Sequence, residues 1–260
     1  MVEKSRKKGM KVALVEFLNA VPLYYALKMR IIKNDFEFVS AVPSQCARLL
    51  FEKSVDISNV SVVEYVNSSD YAILSDGCIA TNKRVKSVVM FLNKPINKIK
   101  RVKLDKNSKT SVALIKVLFR FKYNISVDYV YDGDADCELV IGDRALERLK
   151  SAQEGEVLDL AVEWYNFTNL PFVFAVWITN RMIDDEVKEK FYLSKDMGKR
   201  MINDICSEFS HLIDKKSCRD YLTKNLSYDL TEDKKEAIEV FFDYAYRCGA
   251  ISNNRPLRFI

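Results

Sequence analysis

Asp159–Trp177 reads DLAVEWYNFTNLPFVFAVW, and its parsing decides the fold. Leu170–Ile178 is an unbroken apolar run with a proline inside it. It is far shorter than the roughly 20 residues a membrane-spanning helix needs. A run of this kind predicts a strand buried on both faces. Proline cannot donate to a central ladder, so Pro171 must stand at the strand's start. The preceding WYNFTN, aromatic and amide-rich, predicts a short helix ending near Asn169. Periodicity alone reads this as a core strand and nothing more.

Strands and helices alternate on the N-terminal side of this stretch. Lys11–Val15 predicts a strand, followed by a helix capped by Asn19 with Pro22 in its first turn. Phe36–Ala41 and Val55–Val60 predict strands around a helix opened by Pro43 and Ser44. Tyr71–Leu74, Cys78–Thr81 and Val85–Leu92 are strand-like. The pattern restarts with a strand at Arg101–Leu104 and a helix over Ser108–Phe121. Strands at Ile125–Val130 and Leu139–Ile141 follow, then a helix over Asp143–Lys150. This alternation predicts mostly parallel α/β layers. Beyond Asn180 the apolar residues fall at helical spacing, as Val187 and Phe191 do, or Ala237, Phe241 and Tyr244. The expected crossover between two lobes lies near Asn93–Pro95, with the apolar strand as the way back. One lobe is then 10–92 with 179–260, the other 93–178, and residues 1–9 a disordered basic arm.

A chain of 260 residues has ample length for two lobes. With 48% hydrophobic and 30% charged residues it reads as an ordinary soluble globular protein. The net charge is +5, much of it from Lys4, Arg6, Lys7, Lys8 and Lys11. That cluster reads as a solvated arm. No basic stripe interleaved with aromatics follows it, so nucleic acid is not an expected partner. The small positive excess suits an anionic small substrate. No apolar segment of signal-peptide length follows the basic residues, and no membrane span is expected. The six cysteines are scattered without a C-x-x-C pair, which predicts free thiols in a reducing cytoplasm. The single histidine is His211. It lies far in sequence from every motif, and no metal site is expected.

Four helix starts or strand ends carry polar groups that chemistry could use. Asn19 follows a strand, where capping a helix is its ordinary role. In LDKNSKTSVAL, residues 104–114, Ser108, Thr110 and Ser111 gather at a helix start. Exposed N–H groups, the helix dipole and hydroxyl donors together make an anion pocket there. Ser44 opens another helix, as a cap first and a ligand contact second. In VIGDRAL, residues 140–146, Gly142 permits close backbone approach at a strand end, and Asp143 is expected to cap the next helix. Ser87 lies in VKSVVMF, read as mid-strand.

T-x-L-P-F-V-F-A-x-W, residues 168–177, resembles the signature of the chorismate dehydratases of the futalosine route to menaquinone. The family motif D-x-x-S-x-T-S-x-A-L is matched in full by Asp105, Ser108, Thr110, Ser111, Ala113 and Leu114. Residues 15–22, VEFLNAVP, resemble the family's strand followed by x-Y-L-N-x-x-P. Departures are Glu16 where serine is common, Phe17 for tyrosine, Lys83-Arg84 where glycine and proline are usual, and Asn169 for glycine. The resemblance implies a two-lobe, type II periplasmic-binding-protein-like α/β fold, with a cleft between the lobes and C-terminal helices, used as a cytoplasmic enzyme. It implies loss of water from chorismate, with Asn19 at the reacting ring and Ser44, Ser87, Ser108, Thr110, Ser111 and Gly142 around the substrate. No metal or organic cofactor is implied, and a monomer or homodimer is expected. The base stays open between a substrate carboxylate, Glu16 and a water. The rival classes are a cytoplasmic small-anion-binding protein and the sister 1,4-dihydroxy-6-naphthoate synthase, which uses a histidine at the turn corresponding to VIGDRAL.

Overall fold

A computed structural model describes residues 9–153 and 155–260, so the expected basic arm lies, Gly9 apart, outside the described residues. The strands in chain order are β1 (Lys11–Val15), β2 (Glu37–Ala41), β3 (Ile57–Ser61), β4 (Ala72–Thr81), β5 (Val88–Leu92), β6 (Arg101–Lys103), β7 (Asp128–Val130), β8 (Cys137–Ile141), β9 (Val157–Asp159), β10 (Phe172–Thr179) and β11 (Ser227–Asp229). The helices are α1 (Val21–Lys28), α2 (Pro43–Phe51), α3 (Lys109–Val117), α4 (Gly142–Arg148), α5 (Leu160–Thr168), α6 (Asp185–Arg200), α7 (Ile202–Glu208), α8 (Lys215–Asp220) and α9 (Glu232–Arg247).

Two sheets result, ordered β11-β4-β10-β3-β1-β2 and β7-β6-β8-β5-β9. They share a plan. Three parallel strands, β2-β1-β3 or β7-β6-β8, are joined to one reversed strand, β10 or β5. In each sheet the reversed strand is the first one the chain forms after leaving the other sheet. The layers are therefore mixed, not mostly parallel, because a chain arriving from the opposite sheet enters from the other end. The changes of sheet also fall earlier than expected. Val88–Leu92 pairs in the second sheet and Phe172–Thr179 in the first. An apolar run reports burial, and it does not say which sheet will hold it.

β10 is buried along its length except at Ala175, and it pairs antiparallel with β3 and β4. Pro171 stands just outside it, and its carbonyl accepts from Trp164 Nε1 at 3.0 Å. Helix α5 ends at Asn169, whose backbone is left-handed at φ 60° and ψ 20°. Tyr71–Leu74 and Cys78–Thr81 are not separate strands, since β4 runs through both. The expected all-helical C-terminal part is interrupted by β11, which completes the first sheet. Across α1 lies α6, where a Cβ on Gly198 would meet Pro22 O at 1.9 Å, so only glycine allows this approach. The expectation of six free thiols is corrected. Cys206 and Cys218 form a disulfide, because two short helices fold back on each other; Cys46, Cys78, Cys137 and Cys248 are free. Among the described residues no helix is long and apolar enough to cross a membrane.

Candidate active site

Both sheets aim the carboxyl ends of parallel strands at one cavity, the usual place for ligands in α/β folds. The cavity holds about 60 Å³. The first sheet supplies Val15 at the end of β1, Phe17 and Asn19 beyond it, and Asn59, Val60 and Ser61 at the end of β3. The second supplies Ser87 and Val88 at the start of β5, Asn107, Ser108 and Ser111 at the start of α3, and Gly142 beyond β8. Ile79, Phe174 and Ala175 add an apolar patch from β4 and β10. Among the described residues no charged side chain lines it. A larger cleft of about 650 Å³, bounded by Arg84, Lys86 and Lys150, lacks all of these strand-end donors.

The α3 side follows from its sequence. Asp105 Oδ1 accepts from Asn107 N at 2.7 Å, which turns the loop into the helix. Ser108 is the N-cap; its Oγ accepts from Ser111 N at 3.2 Å and lies 2.7 Å from Ser111 Oγ. Thr110 is fully buried with an unpartnered hydroxyl, and it is not on the cavity wall. Ser44 is also off the wall. It is exposed in the first turn of α2, Val42 holds the cap position, and Pro43 lines the cavity instead.

Ser87 sits in a bend before β5, not mid-strand. The bend is fixed from both sides. Asp159 Oδ2 accepts from Val85 N at 3.0 Å and Lys86 N at 2.7 Å, while its Oδ1 caps α5 through Ala161 N. Ser87 O accepts from Gly142 N at 2.8 Å. Gly142 is left-handed at φ 63°, with the Phe17 ring 3.5 Å from where a Cβ would be, so a side chain would be strained there. The Ser87 hydroxyl is buried and has no partner.

Asn19 does not cap α1. Ala20 holds that position, and Asn19 is free in the β1–α1 turn to line the cavity. Asp143 does not cap α4 either. It sits in the helix's first turn, off the cavity wall, facing the backbone N–H of Leu18. Burial raises its carboxyl above the ordinary value, opposed by that N–H and by the charge of His211. His211 itself is exposed, stacked on Phe209, and is not on the cavity wall. Glu16 turns outward to Lys28 at 3.4 Å, and a hydrogen bond from Ser40 holds its carboxyl below the usual range.

Sequence reasoning missed Asn59, Asn107 and Tyr221. Asn59 follows Ile57 on one face of the buried strand β3, where an amide is unusual, a signal that was available. Tyr221 comes from the far C-terminal part and could be placed only by the fold. It is buried, which pushes its phenol up, and its hydroxyl faces Ser87 and Asn19, which oppose that shift.

A family model described as menaquinone biosynthesis matches residues 10–247. The chain belongs to the menaquinone biosynthesis family. It is similar to the chorismate dehydratase of Thermus thermophilus, 32% identical over 194 residues that cover 65% of this chain and 69% of that one. It is also similar to the chorismate dehydratase of Campylobacter jejuni, 28% identical over 242 residues, or 87% and 93% of the two chains. Among solved structures, a protein of Archaeoglobus fulgidus superposes with a TM-score of 0.73 at 16% identity, over 93% of this chain and 98% of that one. The periplasmic aliphatic sulphonate binding protein of Escherichia coli superposes at 0.67 and 11%, over 96% and 92%. At such identities the likeness speaks for the fold, which is that of the periplasmic binding proteins. Within the menaquinone biosynthesis family, the departures noted in this sequence now have physical readings. Asn169 occupies a left-handed helix end, which asparagine tolerates as glycine does. Glu16 faces away from the cavity. Lys83 lies over the Tyr165 ring, and the Arg84 carbonyl is held by Thr81 and Asn225, so neither cation lines the cavity.

Proposed function

We propose that this family member is a chorismate dehydratase, a carbon–oxygen hydro-lyase. It would remove the ring hydroxyl of chorismate together with the proton on the carbon bearing the enolpyruvyl ether, giving 3-[(1-carboxyvinyl)oxy]benzoate and water. The observation that carries this reading is the cavity wall, where Asn19, Ser87, Ser108 and Ser111 meet around one space without a charged group among them. Neutral donors of this kind bind carboxylate oxygens without locking them into ion pairs. The two relatives named above carry the same activity in their names.

Aromatisation drives the elimination, so the protein's task is orientation and placed dipoles. Asn19 orients the ring and the departing hydroxyl. Ser87, Ser108 and Ser111 hold the carboxylates, and Gly142 lets the backbone approach. Thr110 and Ser44, off the wall, act at most through the helix starts they occupy. With no titratable side chain on the wall among the described residues and Glu16 turned outward, the proton passes to a substrate carboxylate or to a water.

The test is to incubate purified protein with chorismate alone, follow the ultraviolet spectrum and weigh the product. An aromatic product lighter than chorismate by one water is expected. Tight binding without an aromatic product would make the protein a small-anion-binding module. Turnover of cyclic de-hypoxanthine futalosine would make it the sister synthase.

A further inference from the structure

Asn59 is the amide that no motif announced. It lies on β3, opposite Trp177 of β10, at the centre of the first sheet. Its side chain is 1% exposed, yet its Nδ2 has no hydrogen-bond partner. A buried amide that is left unpaired is costly, and folded proteins retain few of them. Its neighbour on the same strand shows the contrast: Ser58, pointing the other way, is buried too, and its Oγ donates to Ala13 O at 3.1 Å. What distinguishes Asn59 is that it lines the cavity. Ser87 lines it too, from the second sheet, buried and making no hydrogen bond, with only the Tyr221 hydroxyl facing it. An orphaned amide and an underused hydroxyl thus meet one space from two walls.

We infer that Asn59 is a substrate-binding residue whose Nδ2 donates to a carboxylate oxygen of the bound dianion, with the Ser87 hydroxyl serving it from the opposite sheet. This rests on the activity proposed above. Nδ2 is a donor only, so it calls for an acceptor, and the oxygens of a carboxylate are the strongest acceptors such a substrate brings. The donor is held rigidly by a central strand, so it fixes where the carboxylate sits and thereby how the ring presents its leaving group.

The test is Asn59→Leu, which keeps the approximate volume and removes the donor. Because no intramolecular hydrogen bond is lost, the free variant should melt at or above the wild-type temperature. Its KM for chorismate and its Kd for 3-[(1-carboxyvinyl)oxy]benzoate should each rise roughly 10- to 100-fold, as for a lost hydrogen bond to a charged acceptor. Asn59→Asp, which sets a carboxylate against a carboxylate, should weaken product binding further; it also serves if the leucine variant fails to fold. Wild-type-like binding by either variant, or a lower melting temperature with binding intact, would make Asn59 a structural residue. Wild-type protein that neither turns over chorismate nor binds the product would refute the proposed activity itself, and this inference with it.

Discussion

The two sheets share one plan and equip the cavity differently. The first offers side-chain amides, Asn19 from the β1–α1 turn and Asn59 from β3. The second offers hydroxyls, Ser87 before β5 and the Ser108–Ser111 pair at the start of α3. An amide presents its donors in a fixed plane, whereas a hydroxyl rotates to suit its partner. A helix start adds a favourable field for negative charge. The first sheet is therefore built to orient a ligand, and the second to hold its charge. If that division is right, removing Asn19, which meets the reacting ring, should strike turnover, whereas removing a carboxylate contact, Asn59 or a hydroxyl of the second wall, should strike affinity.

The sharpest way to break it is Asn19→Ala. Asn19 is not the cap of α1, so its loss should move stability by less than about 0.5 kcal/mol, as for a residue outside the packed core. Turnover should fall by roughly 10²- to 10³-fold, the usual cost of removing a positioned donor at a reacting centre. Steady-state kinetics beside a melting curve separate the two. Normal kcat with a lower melting temperature would return Asn19 to a structural role and leave the first wall without its orienting group.

The two walls were not equally legible in the sequence. The hydroxyl wall announces itself, because Asp105, Ser108, Thr110 and Ser111 are crowded into seven residues at one helix start. The apolar β10 was legible too, down to the place of Pro171, because burial on both faces leaves few alternatives for an eight-residue run. The amide wall was half hidden. Asn19 could be suspected, but its turn imitates a cap. Asn59 reads as a flaw in a strand until the cavity beside it is seen. Tyr221 is 202 positions from Asn19 in the chain (221 − 19), and only tertiary packing brings its hydroxyl to Asn19 and Ser87. The changes of sheet were hidden for a related reason: β5 and β10 each pair in the sheet the chain is entering, which their own residues do not encode. Nor does spacing alone reveal the Cys206–Cys218 bond, which depends on how α7 and α8 fold over each other.

Ser111→Ala tests the second wall. Its Oγ lies 2.7 Å from Ser108 Oγ, within the charge-holding group. KM for chorismate should rise about 10-fold with kcat nearly unchanged, as expected when binding common to ground and transition states is lost. A fall in kcat at constant KM would mean that the hydroxyl wall takes part in the chemical step, and the division between the walls would fail.

The smallest effect concerns a contact between elements of the two sheets. Asp143, on the second sheet's α4, looks across at the Leu18 N–H of the first. Burial raises its carboxyl pKa, and the Leu18 N–H and His211 only partly offset that. The sign follows from linkage. A carboxyl whose folded pKa exceeds its unfolded value binds its proton more tightly when folded, so its contribution to stability is present at low pH and is lost as pH rises through the folded value. Asp143→Asn cannot ionise and escapes this loss. Melting curves of the two proteins should therefore diverge as pH climbs from about 4, the unperturbed value, with the variant melting higher by no more than roughly 2–4 °C. Asp159 is raised by burial in the same way, so some slope persists in the variant, and the difference between the two curves isolates Asp143. A variant whose melting temperature falls increasingly below that of wild type as pH rises would show that the charge on Asp143, held by Leu18, ties the two sheets together more strongly than burial opposes it. The two sheets would then be joined by a charged contact beside the cavity wall's neutral donors, and not merely set side by side around them.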